Sequence, residues 1–308
     1  QQTSLFKRPI MDLNLFIHKY KNLELFSRKV VEGFLTSIHK SPFHGFSVEF
    51  AEHRQYNQGE SVRHIDWKLF SKTDKLYIKK YEDETNLRCH FVIDQSSSMF
   101  VPQGSYNKFQ FSVIATACMM QVLRKQRDAF GLTFFEDNIK ESTPVKSTAS
   151  HFIEMLNLLQ GKIDYKNENN STNTGAVLSL LAEKIHRRSL VVIFTDLTEN
   201  IEQKEDFLQG LQHLHFRKHD ILLINVTHNK LEINLDYANV PTNFIDSETG
   251  ESIKLNPQEV RKHYVEGMKA YQEELLEKCL QYKIEHFSVD IEKDLEKTLE
   301  AFIRVRSK

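Results

Sequence analysis

The chain has 308 residues, with 41 basic and 42 acidic side chains and a formal net charge of −1. That balance gives no overall electrostatic reason to expect nucleic acid as a partner. With 40% apolar and 27% charged residues, the composition is that of an ordinary globular chain, long enough for one large domain or one with a smaller companion.

The first part, to residue 85, lacks an orderly alternation of strand and helix. Leu23, Phe26, Val30, Phe34 and Ile38 recur at helical spacing and predict one inward-facing stripe. Residues 47–52 alternate like a half-buried strand, residues 57–60 read as a turn at Gly59, and residues 76–81 read as a second strand. A small N-terminal β-rich unit with a helix is expected over residues 1–85.

From residue 86 the pattern changes. Apolar strands are expected at 87–94, 129–135, 189–195, 220–226 and 284–289, and helices at 107–126, 149–160, 174–186, 203–218, 257–282 and 292–305. In the 257–282 helix, Val260, Tyr264, Met268, Tyr271, Leu275 and Cys279 form a stripe that reads as core. Continuous apolar strands alternating with helices predict an α/β fold over 86–308, a doubly wound, mostly parallel sheet covered on both faces. Cys89, Cys118 and Cys279 are scattered and odd in number, as expected of reduced, buried thiols. No apolar run approaches the roughly 20 residues that cross a bilayer, and residues 1–20 show no signal-peptide core, so a cytoplasmic protein is expected.

Three segments of the second region carry chemistry. Asp94, Ser96 and Ser98 place a carboxylate and two hydroxyls at alternate positions on the turn leaving the first apolar strand. Thr172 and Thr174 precede Gly175 at the start of a helix, and Thr195 and Asp196 end a second buried strand. Hard oxygen donors of this kind suit Mg²⁺, with Mn²⁺ or Ca²⁺ as alternatives. Ligands of doubly wound sheets bind beyond the carboxyl ends of the strands, so the three segments are expected to converge on one edge. Taken singly, each piece reads as a helix cap or a plain turn. Together and in order they are much more specific.

These residues resemble the metal-ion-dependent adhesion site of von Willebrand factor A domains, over roughly 87–308. The resemblance implies hydroxyl ligands from Ser96, Ser98 and Thr172, charge from Asp94 and Asp196 acting largely through metal-bound water, and an ion that captures a partner's Asp or Glu. Many members of that family carry Gly after the third-loop Asp, where this chain has Leu197. The preceding block, with Arg54, Tyr56, Gly59, Glu60, Arg63, Asp66, Trp67 and Tyr81, resembles a bacterial family of uncharacterised function. Its members place such a block directly before a von Willebrand factor A domain, and their genes often lie beside a MoxR-type AAA+ ATPase. Glu60 stands where many members have Asp. Arg54, Tyr56, Arg63, Asp66 and Trp67 are expected to form a structural polar network with the indole packed in a core, or else a docking surface.

Enzyme readings fare less well. An aspartyl-nucleophile phosphatase wants a second carboxylate two residues after the first, where this chain has Ser96. Neither G-x-G-x-x-G, Walker A nor G-x-S-x-G is present. His213, His215 and His219 lack an accompanying HExxH glutamate and read as helix surface. The expectation is a non-enzymatic, metal-dependent protein-interaction module, an adaptor for a MoxR-type ATPase. A metal-assisted phosphoester hydrolase using the same cluster is the alternative.

Overall fold

The computed structural model describes residues 22–39, 52–56, 67–80, 87–103, 106–165, 174–197, 201–246 and 250–306. The chain groups into two units, Glu32–Asn86 and the remainder. One boundary falls at residues 86–87, and α1 (Leu23–His39) crosses the other. Its first half belongs with the α/β unit: the Leu23 amide donates to Gln160 Oε1 at 2.8 Å, and Gln121 Nε2 donates to Ser27 Oγ at 3.3 Å.

Within Glu32–Asn86, β1 (Glu52–Gln55) pairs antiparallel with β2 (Tyr77–Lys80), and α2 (Trp67–Thr73) lies between them in sequence. That short helix was not expected from the sequence. Trp67 corrects the expectation of a core indole: it is 59% exposed and meets Phe70 edge-on, with ring centroids 6.0 Å apart. Tyr56 is half-buried. Arg63 and Asp66, the turn at 57–60, most of the strand expected at 47–52, and the side chain of Arg54 lie outside the described residues.

The larger unit is an α/β structure around a six-stranded, mostly parallel sheet. Its strands are β3 (Arg88–Asp94), β4 (Ala129–Phe135), β5 (Ile139–Ser142), β6 (Leu190–Thr195), β7 (Asp220–Thr227) and β10 (Glu285–Asp290), in the spatial order β10-β7-β6-β3-β4-β5. All adjacent pairs are parallel except β4–β5. Nearly every residue of β3, β4 and β6 is buried, which is why these strands read as unbroken apolar runs. The antiparallel edge strand β5 escaped the sequence reading because it has only four residues and a half-exposed alternation.

Helices α3 (Lys108–Lys125), α4 (Ala149–Lys162) and α8 (Leu295–Arg306) cover one face, where Phe91 of β3 meets Phe302 of α8. On the other face Val92, Ile193 and Leu223 pack with α5 (Thr174–Lys184), α6 (Ile201–Phe216) and Leu275 of α7 (Pro257–Gln281). Each of these large apolar side chains stabilises the fold by about 1.5–3 kcal/mol on burial. A two-stranded antiparallel ribbon, β8 (Thr242–Ile245) and β9 (Ser252–Leu255), precedes α7.

The α7 stripe is only partly core. Leu275 and Cys279 are buried, whereas Val260 and Met268 are half-buried and Tyr264 is exposed. The histidine reading also needs correction. The helix ends at Phe216, so His215 and His219 share no helical face, and His219 is buried with Nδ1 accepting from the Ser189 amide at 3.4 Å. His213 does lie on the surface, beside Glu183 at 3.0 Å.

Among the described residues no helix is long and apolar enough to cross a membrane.

Candidate metal centre

The sheet winds outward in opposite directions from β3 and β6, which are direct neighbours. Adjacent strands that lead away in opposite directions leave a crevice beyond their carboxyl ends. Asp94 is the last residue of β3, and Asp196 follows the last residue of β6. Two of the three sequence segments therefore meet at the switch point, as expected. Thr172 lies outside the described residues.

The Asp94 carboxylate is held from two sides. Its Oδ1 accepts the Ser96 amide at 2.8 Å, and its Oδ2 accepts the Thr195 hydroxyl of β6 at 2.8 Å. The first bond closes the tight turn; the second ties the two strand ends together. Ser96 and Ser98 are buried, with hydroxyl oxygens 3.0 Å apart. Burial pushes the Asp94 carboxyl up to about 7, and the nearby Asp196 charge pushes in the same direction, against the hydrogen bonds from Ser96 and Thr195.

At the start of α5, Thr174 Oγ1 is buried without a hydrogen-bond partner. Position 175 is glycine because of helix packing: a Cβ there would stand 2.4 Å from the backbone carbon of Asp206 in α6. Gly210 of α6 repays the approach, since a Cβ at 210 would be 2.8 Å from the Gly175 carbonyl. Two glycines thus let α5 and α6 touch backbone to backbone and fix where α5 begins.

Leu197 explains why glycine suits the position after the third-loop aspartate. Its φ is +54°, the left-handed region that costs a residue with a Cβ about 1–2 kcal/mol. Here the side chain is buried in the α5–α6 core, which offsets that cost. The Leu197 carbonyl also accepts the Tyr271 hydroxyl of α7 at 2.6 Å.

Two residues of this region were not legible in the sequence. Lys108, the first residue of α3, is fully buried. Its ammonium lies 2.8 Å from Asp196 Oδ2 and also pairs with Glu232. A lysine at a helix N-terminus faces the unfavourable end of the helix dipole, so its position is set by these carboxylates. Burial alone would lower the Lys108 pKa, but Asp196 and Glu232 more than offset it and hold it above the ordinary value.

Glu232 sits in a single π turn, Asn229–Ile233, directly after β7. Its Oε2 accepts the His228 amide at 2.7 Å, and its backbone carbonyl accepts the Tyr264 hydroxyl of α7 at 2.7 Å. Tyr264 and Tyr271 of the α7 stripe thus hold the two carbonyls that flank the lysine's carboxylate partners.

No group of three or more His, Cys, Asp or Glu side chains suited to a metal occurs among the described residues. The donor chemistry fits a hard cation: two facing hydroxyls, two mutually repelling carboxylates and an unpartnered buried threonine hydroxyl nearby.

Residues 52–274 match the family described as protein of unknown function DUF58. The chain belongs to the DUF58 family. The match runs from β1 into α7 and includes every residue of the edge cluster. An uncharacterized protein of Mycobacterium tuberculosis is 21% identical to this DUF58 protein over 206 residues, 67% of this chain and 63% of the relative. A Mycobacterium bovis protein, also uncharacterized, matches to the same extent. The chain thus spans 63% of the length of these curated relatives.

Among solved structures, the conserved hypothetical protein BatB from Bacteroides thetaiotaomicron is similar at 12% identity and a TM-score of 0.44, covering 72% of this chain and 100% of BatB. An aerotolerance-related membrane protein from Bacteroides fragilis is similar at 15% identity and a TM-score of 0.42, with the same coverages. At these values the likenesses carry no argument about function.

Proposed function

We propose that this DUF58 protein is a non-enzymatic, metal-dependent interaction module in which a Mg²⁺-type cation at the β3–β6 edge captures a carboxylate of a protein partner. The observation that carries this reading is the pair of facing hydroxyls, Ser96 and Ser98 at 3.0 Å, beside an Asp94 carboxyl that burial and Asp196 push up to about 7. Buried carboxylates arranged to repel one another, among oxygens without charge, favour a cation between them.

Asp94, Ser96, Ser98, Thr172 and Asp196 would hold the ion. Neutral hydroxyl ligands leave a divalent ion electrophilic, which is the chemistry the bound group supplies. The chain's own residues do the rest: Thr195 ties Asp94 to the neighbouring strand, Lys108 holds Asp196, and the Gly175–Gly210 contact fixes the start of α5. The metal-assisted hydrolase alternative wants a general base, and the additional carboxylate near the cluster, Glu232, is engaged by Lys108 and the His228 amide.

The resemblance of the N-terminal block supports an adaptor role beside a MoxR-type AAA+ ATPase, and that ATPase is the partner we propose to test first. Immobilised protein should retain it in Mg²⁺ or Mn²⁺ and release it in EDTA. Asp94→Ala and Thr172→Ala should remain folded and lose retention. Retention that survives EDTA and both substitutions would sink the proposal.

A further inference from the structure

A fully buried lysine beside a candidate cation site calls for a reason, because its ammonium opposes any divalent ion bound there. Lys108 contacts Asp196 at 2.8 Å and Glu232 on its other side. Its stem contributes to the apolar interior, but a methionine would do that at no electrostatic cost. It also stands at the helix end whose dipole disfavours positive charge. Glu232, in turn, is held by a π turn, a backbone amide and a tyrosine of α7. Both groups are positioned by structure on two sides, and each adds one unit of opposite charge next to Asp196.

We propose that Lys108 and Glu232 form a charge-setting pair for the edge cluster, with Lys108 weakening divalent-cation affinity and thereby preserving the bound ion's attraction for a carboxylate. This inference rests on the cation-site reading given above. Among the described residues, Asp94, Asp196 and Glu232 in their ionised forms against Lys108 leave two formal negative charges, which one divalent ion neutralises. With Lys108 removed, the loaded cluster carries a surplus negative charge: the ion binds more tightly and an incoming carboxylate is repelled. With Glu232 neutralised the balance tips the other way, and the ion binds more weakly. Both residues are positioning residues that act through Asp196.

The test is Mn²⁺ binding to the full chain, followed by the electron-paramagnetic signal of the free ion. Wild type, Lys108→Met, Glu232→Gln and the double variant are compared, with acetate proton relaxation as the probe for carboxylate access to the bound ion. Charges within a few ångströms at a partly buried site should change affinity about tenfold or more. Lys108→Met should therefore tighten Mn²⁺ binding by about that factor and reduce the acetate effect. Glu232→Gln should weaken Mn²⁺ binding, and the double variant, which restores the net charge, should return close to wild type.

Equal or weaker Mn²⁺ binding by Lys108→Met overturns the inference while leaving the cation site standing. If that variant fails to fold, Glu232→Gln decides: equal or tighter binding overturns the inference. Absence of Mn²⁺ binding in wild type and every variant overturns the cation reading and the inference together. Binding by Lys108→Met but not by wild type supports both.

Discussion

Two buried carboxylates stand one strand apart at the same edge of the sheet, and they are treated oppositely. Glu136, just beyond β4, receives Gln95 Nε2 at 3.0 Å, the Tyr165 hydroxyl at 3.2 Å and Lys140 Nζ at 3.1 Å. Asp94, at the end of β3, receives only uncharged donors among the described residues and faces the charge of Asp196. The first is a closed polar network of the kind that fixes one arrangement of a loop. The second has no direct cation partner among the described residues, and its carboxyl is pushed up to about 7 by burial and by Asp196. The difference is the one expected if Glu136 serves the fold and Asp94 serves the proposed cation site.

The largest expected effect comes from neutralising Asp94. Asp94→Asn should reduce Mn²⁺ binding below detection while raising the melting temperature in EDTA, because it removes the repulsion from Asp196. A stable variant that still binds Mn²⁺ would break the contrast.

Next is the pH dependence of His90, which lies on β3, 2.7 Å from the Thr133 hydroxyl of β4. Burial, with His219 nearby, lowers its pKa from 6.5 to about 4. The native state then holds fewer protons than the unfolded chain, so stability is lost as pH falls from about 6.5 towards 4, by roughly 3 kcal/mol in total. His219 and His286, also lowered by burial, act in the same direction. Asp94 acts oppositely: a carboxyl raised to about 7 destabilises the metal-free protein as pH rises from about 4 towards 7. Urea unfolding of Asp94→Asn in EDTA should therefore show a steeper loss on acidification than wild type. A shallower one would contradict the assignment.

Glu136→Gln should cost about 2 kcal/mol by replacing the buried charged acceptor of Gln95 and the Tyr165 hydroxyl, while Lys140 keeps Asp137 at 2.7 Å, with Mn²⁺ affinity unchanged. Matching stability loss with a large affinity change would merge the two clusters into one. The smallest effect is expected at Leu197: glycine relieves the left-handed backbone but gives up a buried side chain, so the net change should lie within about 2 kcal/mol by urea unfolding.

The parallel strands were legible because burial on both faces leaves an unbroken apolar run, and Asp94 and Asp196 were placed correctly because such runs end where the chain turns. The short pieces β5, β8 and β9 were not, since four half-exposed residues leave little periodicity. Lys108 was illegible for a different reason: at the start of a helix, a lysine whose partners lie 88 and 124 residues away looks like any solvated one. Trp67 misled in the opposite sense, as an aromatic residue is assigned to a core by composition while its exposure depends on the packing around it. The tyrosines of α7 kept helical spacing, yet Tyr264 and Tyr271 use their hydroxyls to reach loop carbonyls.

The backbone contact between Gly175 and Gly210 has a mechanical meaning. With no side chain between them, α5 and α6 have no compliant layer to shear, so α5 cannot slide along its axis without dragging α6. Under the proposed function, a partner pulling on the cluster would pull on the first turn of α5. That load passes directly into α6 and, through Leu211 and Leu214, into the strands beneath. A force applied at this edge would be shared by two helices and the sheet rather than borne by one loop.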